Sequence, residues 1–338
     1  MDLFYIITSV CLSVCVIYCL YIFVWFIIAC IADCDVVTFL SEHFGKSPAN
    51  EFNGKVFWIT GASSGIGEAL AKNLALCNAR LVISARRKDQ LVRVKEECLA
   101  LNAKLEDKDI LVLDFDMLDY SVHDSSFQKV LKHFGKLDLL ISNAGRSQRA
   151  SWQNIEIEVD RNMFDLNVFS LINLNRIAVR YFFKSGNAGG LAIISSIAGV
   201  IGAPDCGSYT GAKHALHGYF ESLRNETRDR NIAITMLCPG PVFSDIVRES
   251  FTSKQGEKVN DVYSSKERNM TANRCAHLCL VAIANKLEES WQALFPLIIA
   301  TYFLRNHSFL LSKLMSLVDV KKFAAVIRGS RCYRLNED

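Results

Sequence analysis

The stretch Val56-Phe-Trp-Ile-Thr-Gly-Ala-Ser-Ser-Gly-Ile-Gly67 decides the fold. Its start is apolar and rich in strand-forming residues, which predicts a buried strand over Val56–Thr60. The glycines that follow allow a tight turn and a close approach of the backbone to a bound group, and a helical pattern runs from Glu68 to Cys77. A strand, a glycine-rich turn and a helix N-terminus in this order favour the binding of a dinucleotide pyrophosphate. Such turns also occur without a ligand, so this signal is moderate when taken alone.

The alternation of apolar strands and helices continues beyond this unit. Buried strands separated by helices are typical of a parallel sheet covered on both faces, which predicts a doubly wound, Rossmann-type α/β fold. The further strands are predicted over Leu81–Ser84, Ile110–Leu113, Leu137–Ser142, Leu191–Ser195 and Ile232–Leu237. The further helices are predicted over Lys88–Leu101, Val122–Phe134, Glu156–Lys184, Tyr209–Arg228 and Asn273–Leu287. This pattern predicts one catalytic domain over 54–290.

The composition argues against two classes of ligand. The chain has 338 residues and a formal net charge of +3, with no dense run of Lys or Arg, so nucleic acid is not expected as a partner. The 12 cysteines contain no Cys-x-x-Cys pair and no zinc-ligand spacing, so no metal site is expected.

The N-terminal segment is apolar and uncharged from Leu3 to Ala32. A helix needs about 20 such residues to cross a bilayer core, whereas the apolar part of a cleaved signal peptide has about 7–15 residues behind a basic start. Here the apolar run is far longer, and the start, Met1-Asp2, has no Lys or Arg. We therefore predict a retained transmembrane anchor over 1–32, followed by a juxtamembrane linker over 33–53. The orientation in the membrane stays open, since the flanks contain almost no basic residues.

The region after the sixth strand is less regular. Phe243–Asn269 is polar and is predicted to form a mobile lid over the substrate. An apolar tail follows over 291–338, with most of its large apolar residues in Trp291–Leu304 and Phe309–Val318. Two interpretations of the tail stay open: a last strand with a packed helix, or a surface that dips into a membrane.

The end of the second strand bears on the cofactor. An NAD site places a carboxylate there to bind the ribose 2′-hydroxyl, but the sequence reads Ser84-Ala-Arg-Arg87. The guanidinium groups of Arg86 and Arg87 match a 2′-phosphate, so we predict NADP(H). The alternative is a solvated pair of arginines that opens the next helix.

Ser196, Tyr209 and Lys213 carry the predicted chemistry. Tyr209 and Lys213 are four residues apart on a predicted helix, so both side chains lie on one face. An isolated tyrosine holds its proton too tightly for exchange at neutral pH, and a neighbouring ammonium favours the phenolate. Ser196 follows the fifth strand at the edge where α/β sites form, in a place to bond a substrate oxygen. A Tyr-x-x-x-Lys pair alone is common, so the prediction depends on its neighbours.

These neighbours resemble the short-chain dehydrogenase/reductase family over residues 54–250. Thr60-Gly-x-x-x-Gly-x-Gly67 resembles the cofactor turn of that family, Asn143-Ala-Gly145 its fourth-strand motif, and Pro239-Gly-Pro-Val242 its nicotinamide-side loop. The resemblance implies a catalytic set formed by Asn167, Ser196, Tyr209 and Lys213. It implies cofactor contacts from Gly61, Ser63, Ser64, Gly65, Ile66, Gly67, Arg86, Arg87, Asp116, Asn143, Ala144, Gly145, Tyr209, Lys213, Pro239, Gly240, Val242 and Ser244.

The resemblance also implies a role for each catalytic residue. Tyr209 is the general acid in reduction and the general base in oxidation, and Lys213 lowers the pKa of that tyrosine and binds ribose hydroxyls. Ser196 holds the substrate oxygen, and Asn167 keeps a water in the proton relay. The sequence departs from the family at Ser244, where a threonine is usual, and at Ala212, where relatives often have a serine. The hydroxyl missing at Ala212 carries no catalytic role in the family.

The anchor and stretches such as Lys213-His-Ala-Leu-His-Gly-Tyr-Phe220 resemble membrane-bound members of the family. That resemblance implies a single-pass location in the endoplasmic reticulum membrane and a lipophilic substrate, such as a steroid or a retinoid. It also allows a homodimer through Phe169–Leu174 and Tyr219–Leu223, for which buried core is an equal interpretation. The alternative function is a membrane-tethered NADP(H)-binding partner protein with little catalysis, since a fold does not dictate a function.

Overall fold

The computed structural model describes residues 3–186, 188–261 and 268–306. These residues contain one parallel sheet with the strand order β3-β2-β1-β4-β5-β6-β7. The strands are β1 (Val56–Thr60), β2 (Arg80–Ala85), β3 (Ile110–Asp114), β4 (Leu139–Ser142), β5 (Gly189–Ile194), β6 (Ile232–Pro239) and β7 (Glu289–Gln292). The strand order reverses between β1 and β4, which opens a crevice at the carboxyl ends of the strands. The predicted Rossmann-type fold is therefore confirmed.

Helices cover both faces of this sheet. They are α1 (Leu3–Ile31), α2 (Val36–Phe44), α3 (Pro48–Phe52), α4 (Gly65–Leu76), α5 (Lys88–Leu101), α6 (Ser121–Phe134), α7 (Ile157–Phe164), α8 (Ser170–Ser185), α9 (Gly207–Glu226), α10 (Ala272–Ala284) and α11 (Leu297–Asn306). One apolar core joins the sheet to α4, α5 and α10, and a second joins the opposite face to α6, α8 and α9. All five residues of β1 are buried, as expected for a strand covered on both sides.

The helix predicted over Glu156–Lys184 is interrupted at Asn167, one of the predicted site residues. The chain runs from α7 through a π-helical segment, Asp165–Phe169, into α8. A π segment widens one turn and redirects the side chains within it, and such segments are frequent at functional sites. Here it contains Asn167, whose side chain reaches the loop that follows β4.

The segment that we predicted to be a linker forms α2 and α3 and packs on the domain. The Asp35 backbone N–H donates to the Trp291 carbonyl over 2.9 Å, and the Asp35 carboxylate accepts from the backbone N–H groups of Trp291 and Thr38. Burial raises the pKa of Asp35, although these hydrogen bonds oppose the shift. The Arg274 guanidinium forms ion pairs with Asp33 and Glu42. These contacts attach the chain after α1 to β7 and α10.

Helix α1 contains a candidate membrane span, Ile7–Ile28, none of which is buried inside the protein. Helix α11 packs against the end of α1, where the rings of Trp25 and Tyr302 meet edge to face with centroids 4.1 Å apart. Strand β7 and α11 therefore occupy the first part of the apolar tail. The remainder of the tail, which includes Phe309–Val318, lies outside the described residues.

The turn between β1 and α4 depends on two glycines. Gly61 has a φ of +68°, and a Cβ atom there would lie 2.9 Å from the Cα of Ala144. A Cβ atom on Gly67 would collide with the carbonyl oxygen of Gly61 and would lie 2.5 Å from Nδ2 of Asn143. Both glycines therefore allow the turn to press against the loop after β4, which leaves the N-terminus of α4 facing the crevice.

Gly67→Ala is expected to lower the free energy of unfolding by roughly 1–3 kcal/mol, because the Gly61 backbone and the Asn143 side chain must move to admit a methyl group. Gly218→Ala is the matched control. Gly218 lies in α9, a Cβ atom there meets nothing within 4 Å, and alanine is the better helix former. Urea unfolding of both variants beside the wild type measures the difference, and equal stability of the two variants would contradict the constraint at the turn.

Candidate active site

A cleft of about 690 Å³ runs along the carboxyl ends of the strands and brings together most of the predicted site residues. Those that line it are Gly61, Ser63, Ser64, Gly65, Ile66, Arg86, Arg87, Asp116, Asn143, Ala144, Gly145, Ser196, Tyr209, Lys213, Pro239, Gly240, Val242 and Ser244. Two predicted residues do not line the cleft. Gly67 packs against Gly61 within the turn, and Asn167 is fully buried next to Gly145.

Tyr209 and Lys213 lie on the face of α9 that packs against the ends of β5 and β6. The Lys213 Nζ lies 5.7 Å from the centre of the Tyr209 ring and donates to the carbonyl oxygen of Ile194 over 2.8 Å. Lys213 is buried, and this desolvation lowers its pKa to about 8. The structure therefore places beside the Tyr209 ring an amino group whose pKa lies well below that of an ordinary lysine.

Ser196 follows β5 and caps a short 3₁₀ turn, Ile197–Gly199. The Ser196 Oγ accepts from the backbone N–H of Ala198 over 3.1 Å and donates to the carbonyl oxygen of Pro239 over 3.3 Å. Because the hydroxyl is held from two strands, its position depends on the ends of both β5 and β6. It shares the cleft with Tyr209.

Asn167 and Lys213 both lie close to Gly145. Its Nδ2 donates to the Arg146 carbonyl over 2.8 Å, and its Oδ1 accepts from the Arg146 backbone N–H over 2.9 Å. A Cβ atom on Gly145 would lie 3.0 Å from Oδ1 of Asn167 and 3.8 Å from Nζ of Lys213. The amide therefore holds the backbone of Arg146, next to the glycine that the lysine also approaches.

The turn after β1 and the end of β2 form a cationic corner of the cleft. Arg87 donates to the hydroxyls of Ser63 and Ser64 over 3.2 and 3.4 Å. The Arg86 guanidinium lies 3.9 Å from the Asp116 carboxylate, and its side chain is 58% exposed. Two guanidinium groups next to a helix N-terminus suit an anionic group such as a phosphate. This corner fits the phosphorylated end of a dinucleotide.

Arg146 lines the cleft and was not predicted. Its guanidinium lies 3.7 Å from the Glu249 carboxylate and 5.2 Å from the centre of the Phe251 ring. Burial, together with the nearby charge of Arg86, lowers the pKa of Arg146. The only sequence signal was its place directly after Asn143-Ala-Gly145.

The other end of the cleft is apolar, and sequence patterns did not predict its residues. They are Ala198, Ile201, Ala203, Pro204, Leu297 and Leu304. Leu297 and Leu304 belong to α11, so the helix that packs against α1 also closes this end of the cleft. No local signal in the apolar tail indicates that contact, because it depends on how the tail folds back over β6 and β7.

The segment predicted as a mobile lid forms a wall of the cleft as far as it is described, which excludes 262–267. The Arg149 N–H donates to the Phe251 carbonyl over 2.8 Å, and the Phe251 N–H donates to the Ser147 carbonyl over 2.9 Å. The Phe251 side chain packs against the second core. These contacts fasten the wall to the loop after β4.

The sequence pattern of the short chain dehydrogenase family matches residues 55–255. Dehydrogenase/reductase SDR family member 7 from Homo sapiens is 37% identical over 272 residues, which cover 80% of this chain and 79% of that protein. An Arabidopsis thaliana protein named 11-beta-hydroxysteroid dehydrogenase 1A is 31% identical over 263 residues, which cover 75% of this chain and 73% of that protein.

Solved structures agree on the fold. A short chain dehydrogenase/reductase from Burkholderia phymatum in complex with NAD superposes with a TM-score of 0.65 at 24% identity, covering 78% of this chain and 96% of that one. A short-chain dehydrogenase from Streptomyces avermitilis gives a TM-score of 0.63 at 23% identity, covering 82% and 98% of the two chains. The sequence matches, the sheet order and the cleft agree, and the chain belongs to the short-chain dehydrogenase/reductase family of oxidoreductases.

Proposed function

We propose that this chain interconverts carbonyl and hydroxyl groups on lipophilic small molecules with NADP(H), while anchored in a membrane. The observation that carries the proposal is the juxtaposition of Tyr209 with the buried Lys213 in a cleft that also contains the Ser196 hydroxyl. These are the groups that a proton transfer to or from a carbonyl oxygen requires. The name of the Arabidopsis relative refers to a hydroxysteroid, which agrees with a lipophilic substrate.

Proton transfer follows from the arrangement of these three side chains. Ser196 and Tyr209 hold the substrate oxygen from the cleft wall, and in reduction the Tyr209 hydroxyl gives its proton to that oxygen. The Lys213 ammonium, held by the Ile194 carbonyl, stabilises the phenolate that remains. Asn167 holds the loop at Arg146, next to Gly145, where the proposed water relay begins. When bound, NADP(H) supplies or accepts the hydride, and the protein aligns the reacting atoms.

Tyr209→Phe is expected to lower kcat by at least about 100-fold, because general acid–base catalysis contributes about 10²- to 10⁴-fold. NADPH binding, followed by fluorescence, should stay unchanged. Tyr219→Phe is the matched control, since Tyr219 lies on the same helix and is 44% exposed. Turnover of retinal, steroid ketones and aldehydes measures the effect. If Tyr209→Phe retained wild-type turnover, the assignment would be wrong, and an inactive wild type that binds NADPH would favour a tethered binding protein.

The preference for NADP(H) is proposed from the cationic corner. Arg86 and Arg87 stand at the end of β2, and the Arg86 side chain is free to turn from its long contact with Asp116 toward a phosphate. An NAD site has a carboxylate at this position to bind the ribose hydroxyls, and here arginines stand in its place. The solved structure that contains NAD is 24% identical to this chain, which shows a shared fold but not a shared cofactor preference.

Arg86→Ala is expected to weaken NADPH binding by about 10- to 100-fold, because a hydrogen bond to a charged group contributes about 1.5–3 kcal/mol. NADH lacks the 2′-phosphate, so its dissociation constant should change little. Lys88→Ala is the control for a neighbouring cation, since Lys88 pairs with Asp114 at 3.6 Å. Titration of the wild type and both variants with each cofactor measures the six dissociation constants, and an equal loss for NADPH and NADH in Arg86→Ala would exclude a contact with the 2′-phosphate.

A membrane location is proposed from α1 and α11 together. The span Ile7–Ile28 is long enough for a bilayer, and the α11 helix beside it closes the apolar end of the cleft. A lipophilic substrate dissolved in the bilayer would thus find the apolar end close by. We propose a single pass through the endoplasmic reticulum membrane, in agreement with the resemblance to membrane-bound family members.

A retained anchor is expected to keep the full chain in the membrane pellet after alkaline carbonate extraction, because about 20 apolar residues stabilise the inserted helix. Removal of residues 1–32 should shift the protein toward the soluble fraction. The intact mass of the pelleted protein should equal that of the chain with α1 still attached. A mass that lacks these residues would show a cleaved signal peptide instead.

A homodimer is proposed through α8 and α9, with a smaller surface than the sequence stretches suggest. Phe169 and Tyr219 are 45% and 44% exposed. Leu171, Leu174 and Phe220 are buried in the second core and are not available to a partner. Phe169 and Tyr219 are therefore the aromatic residues of those stretches that such an interface would use.

A further inference from the structure

Four titratable side chains lie along one face of helix α9, and the proposed mechanism uses two of them. Tyr209, Lys213, His217 and Glu221 follow one another at intervals of four residues, so they lie along one face of the helix. Tyr209 and Lys213 face the cleft. His217 lies one turn further, and only 7% of its surface is exposed. A buried imidazole next to the catalytic lysine needs polar partners.

The two ring nitrogens of His217 face different neighbours. Its Nε2 lies 3.0 Å from the Ser195 Oγ and 3.7 Å from the Cys238 Sγ. Its Nδ1 lies 3.4 Å from the carboxylate of Glu289 on β7, an ion-pair contact without the geometry of a hydrogen bond. The Ser195 Oγ also lies 3.5 Å from the carbonyl oxygen of Lys213. The chain of contacts therefore runs from β7 through the imidazole to the residue that precedes Ser196.

The Glu289 carboxylate is itself fixed in place. Its Oε1 accepts from the indole N–H of Trp291 over 2.6 Å, and the Arg305 guanidinium lies 3.8 Å away. Burial raises the pKa of Glu289, but the close contact with His217, the hydrogen bond from Trp291 and the charge of Arg305 outweigh burial, so the pKa lies below its ordinary value. A carboxylate held in this way orients the imidazole that faces it.

The backbone beyond Ser196 is packed onto the same atoms. A Cβ atom on Gly199 would lie 2.6 Å from the Ser195 Oγ, 3.0 Å from the Lys213 carbonyl oxygen and 3.1 Å from the His217 Nε2. Only a glycine allows the turn that Ser196 caps to approach so closely. Ser196 is therefore held on one side by Ser195 and on the other by a turn that rests on the His217–Ser195 contact.

We propose that His217 is a positioning residue, oriented by Glu289, that holds Ser195 and thereby aims the Ser196 hydroxyl at the substrate oxygen. The inference rests on the proposed function. In the tautomer that these neighbours favour, Nδ1 carries the proton and faces Glu289, and Nε2 accepts a hydrogen bond from the Ser195 hydroxyl. No bond to substrate or cofactor is assigned to the imidazole.

A metal ion is the competing use of the same atoms. Ligand atoms of His217, Glu221 and Glu289 lie within 4.8 Å of one another. Glu289 already accepts from Trp291, however, and the positive charge of Arg305 beside it opposes a second cation. The contacts therefore favour the hydrogen-bonding role.

Two substitutions at one position separate positioning from simple packing. The Gln side chain in His217→Gln can place an acceptor near the Nε2 position, whereas His217→Asn reaches only the Nδ1 position and loses Ser195. We expect His217→Asn and Ser195→Ala to lower kcat by about tenfold or more, since small misplacements of reacting groups are costly. KM and the NADPH dissociation constant should change less than about twofold, and His217→Gln should restore most of kcat.

His214→Asn is the matched control, because His214 is on the same helix, is exposed, and has its Nδ1 2.9 Å from the carbonyl oxygen of Thr210 within that helix. A kcat of His217→Asn equal to that of His214→Asn would overturn the proposal. An equal loss in His217→Gln and His217→Asn, accompanied by lower Tm and weaker NADPH binding, would show a structural role and would also overturn it.

Nitrogen NMR of the full chain in lipid tests the contact without turnover. The 7 histidines are labelled with ¹⁵N, and the His217 signals are assigned by their loss in His217→Asn. Ser195→Ala should shift the Nε2 signal of His217, and an unchanged signal would refute the contact. If Ser195→Ala shifts the His217 signal but the wild type reduces no carbonyl, the proposed function is refuted and the His217–Ser195 contact is established.

Discussion

The burial of the Lys213 ammonium against the carbonyl end of β5 is the constraint on which the site depends. Removing an ion from water costs several kcal/mol even after relaxation, and the pKa of about 8 reflects that cost. The Ile194 carbonyl offsets part of it through a 2.8 Å hydrogen bond. The lysine is therefore stable in this place only while β5 and α9 keep their relative positions. The sheet thus supports the reactive group as well as the core.

Other carbonyl groups near the ends of the strands serve the site in the same way. Ser196 donates to the Pro239 carbonyl at the end of β6, and Ser195 approaches the Lys213 carbonyl in α9. The loop after β4 offers its carbonyl at Arg146 to Asn167. The backbone carbonyls of Ile194, Pro239 and Arg146 thus accept hydrogen bonds from the side chains of the site. Moving one strand end would disturb several of these side chains at once.

Local patterns explain why the fold and most of the cleft could be predicted. The strand, turn and helix around Gly61 are continuous in sequence, and the topology of a parallel sheet brings the ends of its strands to one edge. Tyr209 and Lys213 needed only helical periodicity. Asn167 needed more, because a π-helical segment redirects it, and only the family resemblance indicated its role.

Contacts between distant segments explain what could not be predicted. The segment after α1 has the mixed composition of a linker, but Asp35 is buried because β7 provides backbone partners for it. His217 has no local feature that separates it from His214. Its role became visible only when β7 placed Glu289 against it, and α11 met the cleft through the same folding back of the tail. The partner residues are far apart in the chain, and no periodicity records them.

The order of the strands gives the cleft a chemical direction. Arg86 and Arg87 follow β2, near one edge of the sheet, whereas Leu297 and Leu304 follow β7, at the other edge. Four strands separate β2 from β7 in the sheet, so the cationic corner and the apolar end are well apart. Tyr209 and Lys213 lie between them, beside β5. Under the proposed function, a charged cofactor enters from the aqueous side, a lipophilic substrate enters beside α1 and α11, and the two meet at the tyrosine. The reaction thus needs no charged group to cross the apolar end and no apolar substrate to cross the cationic corner.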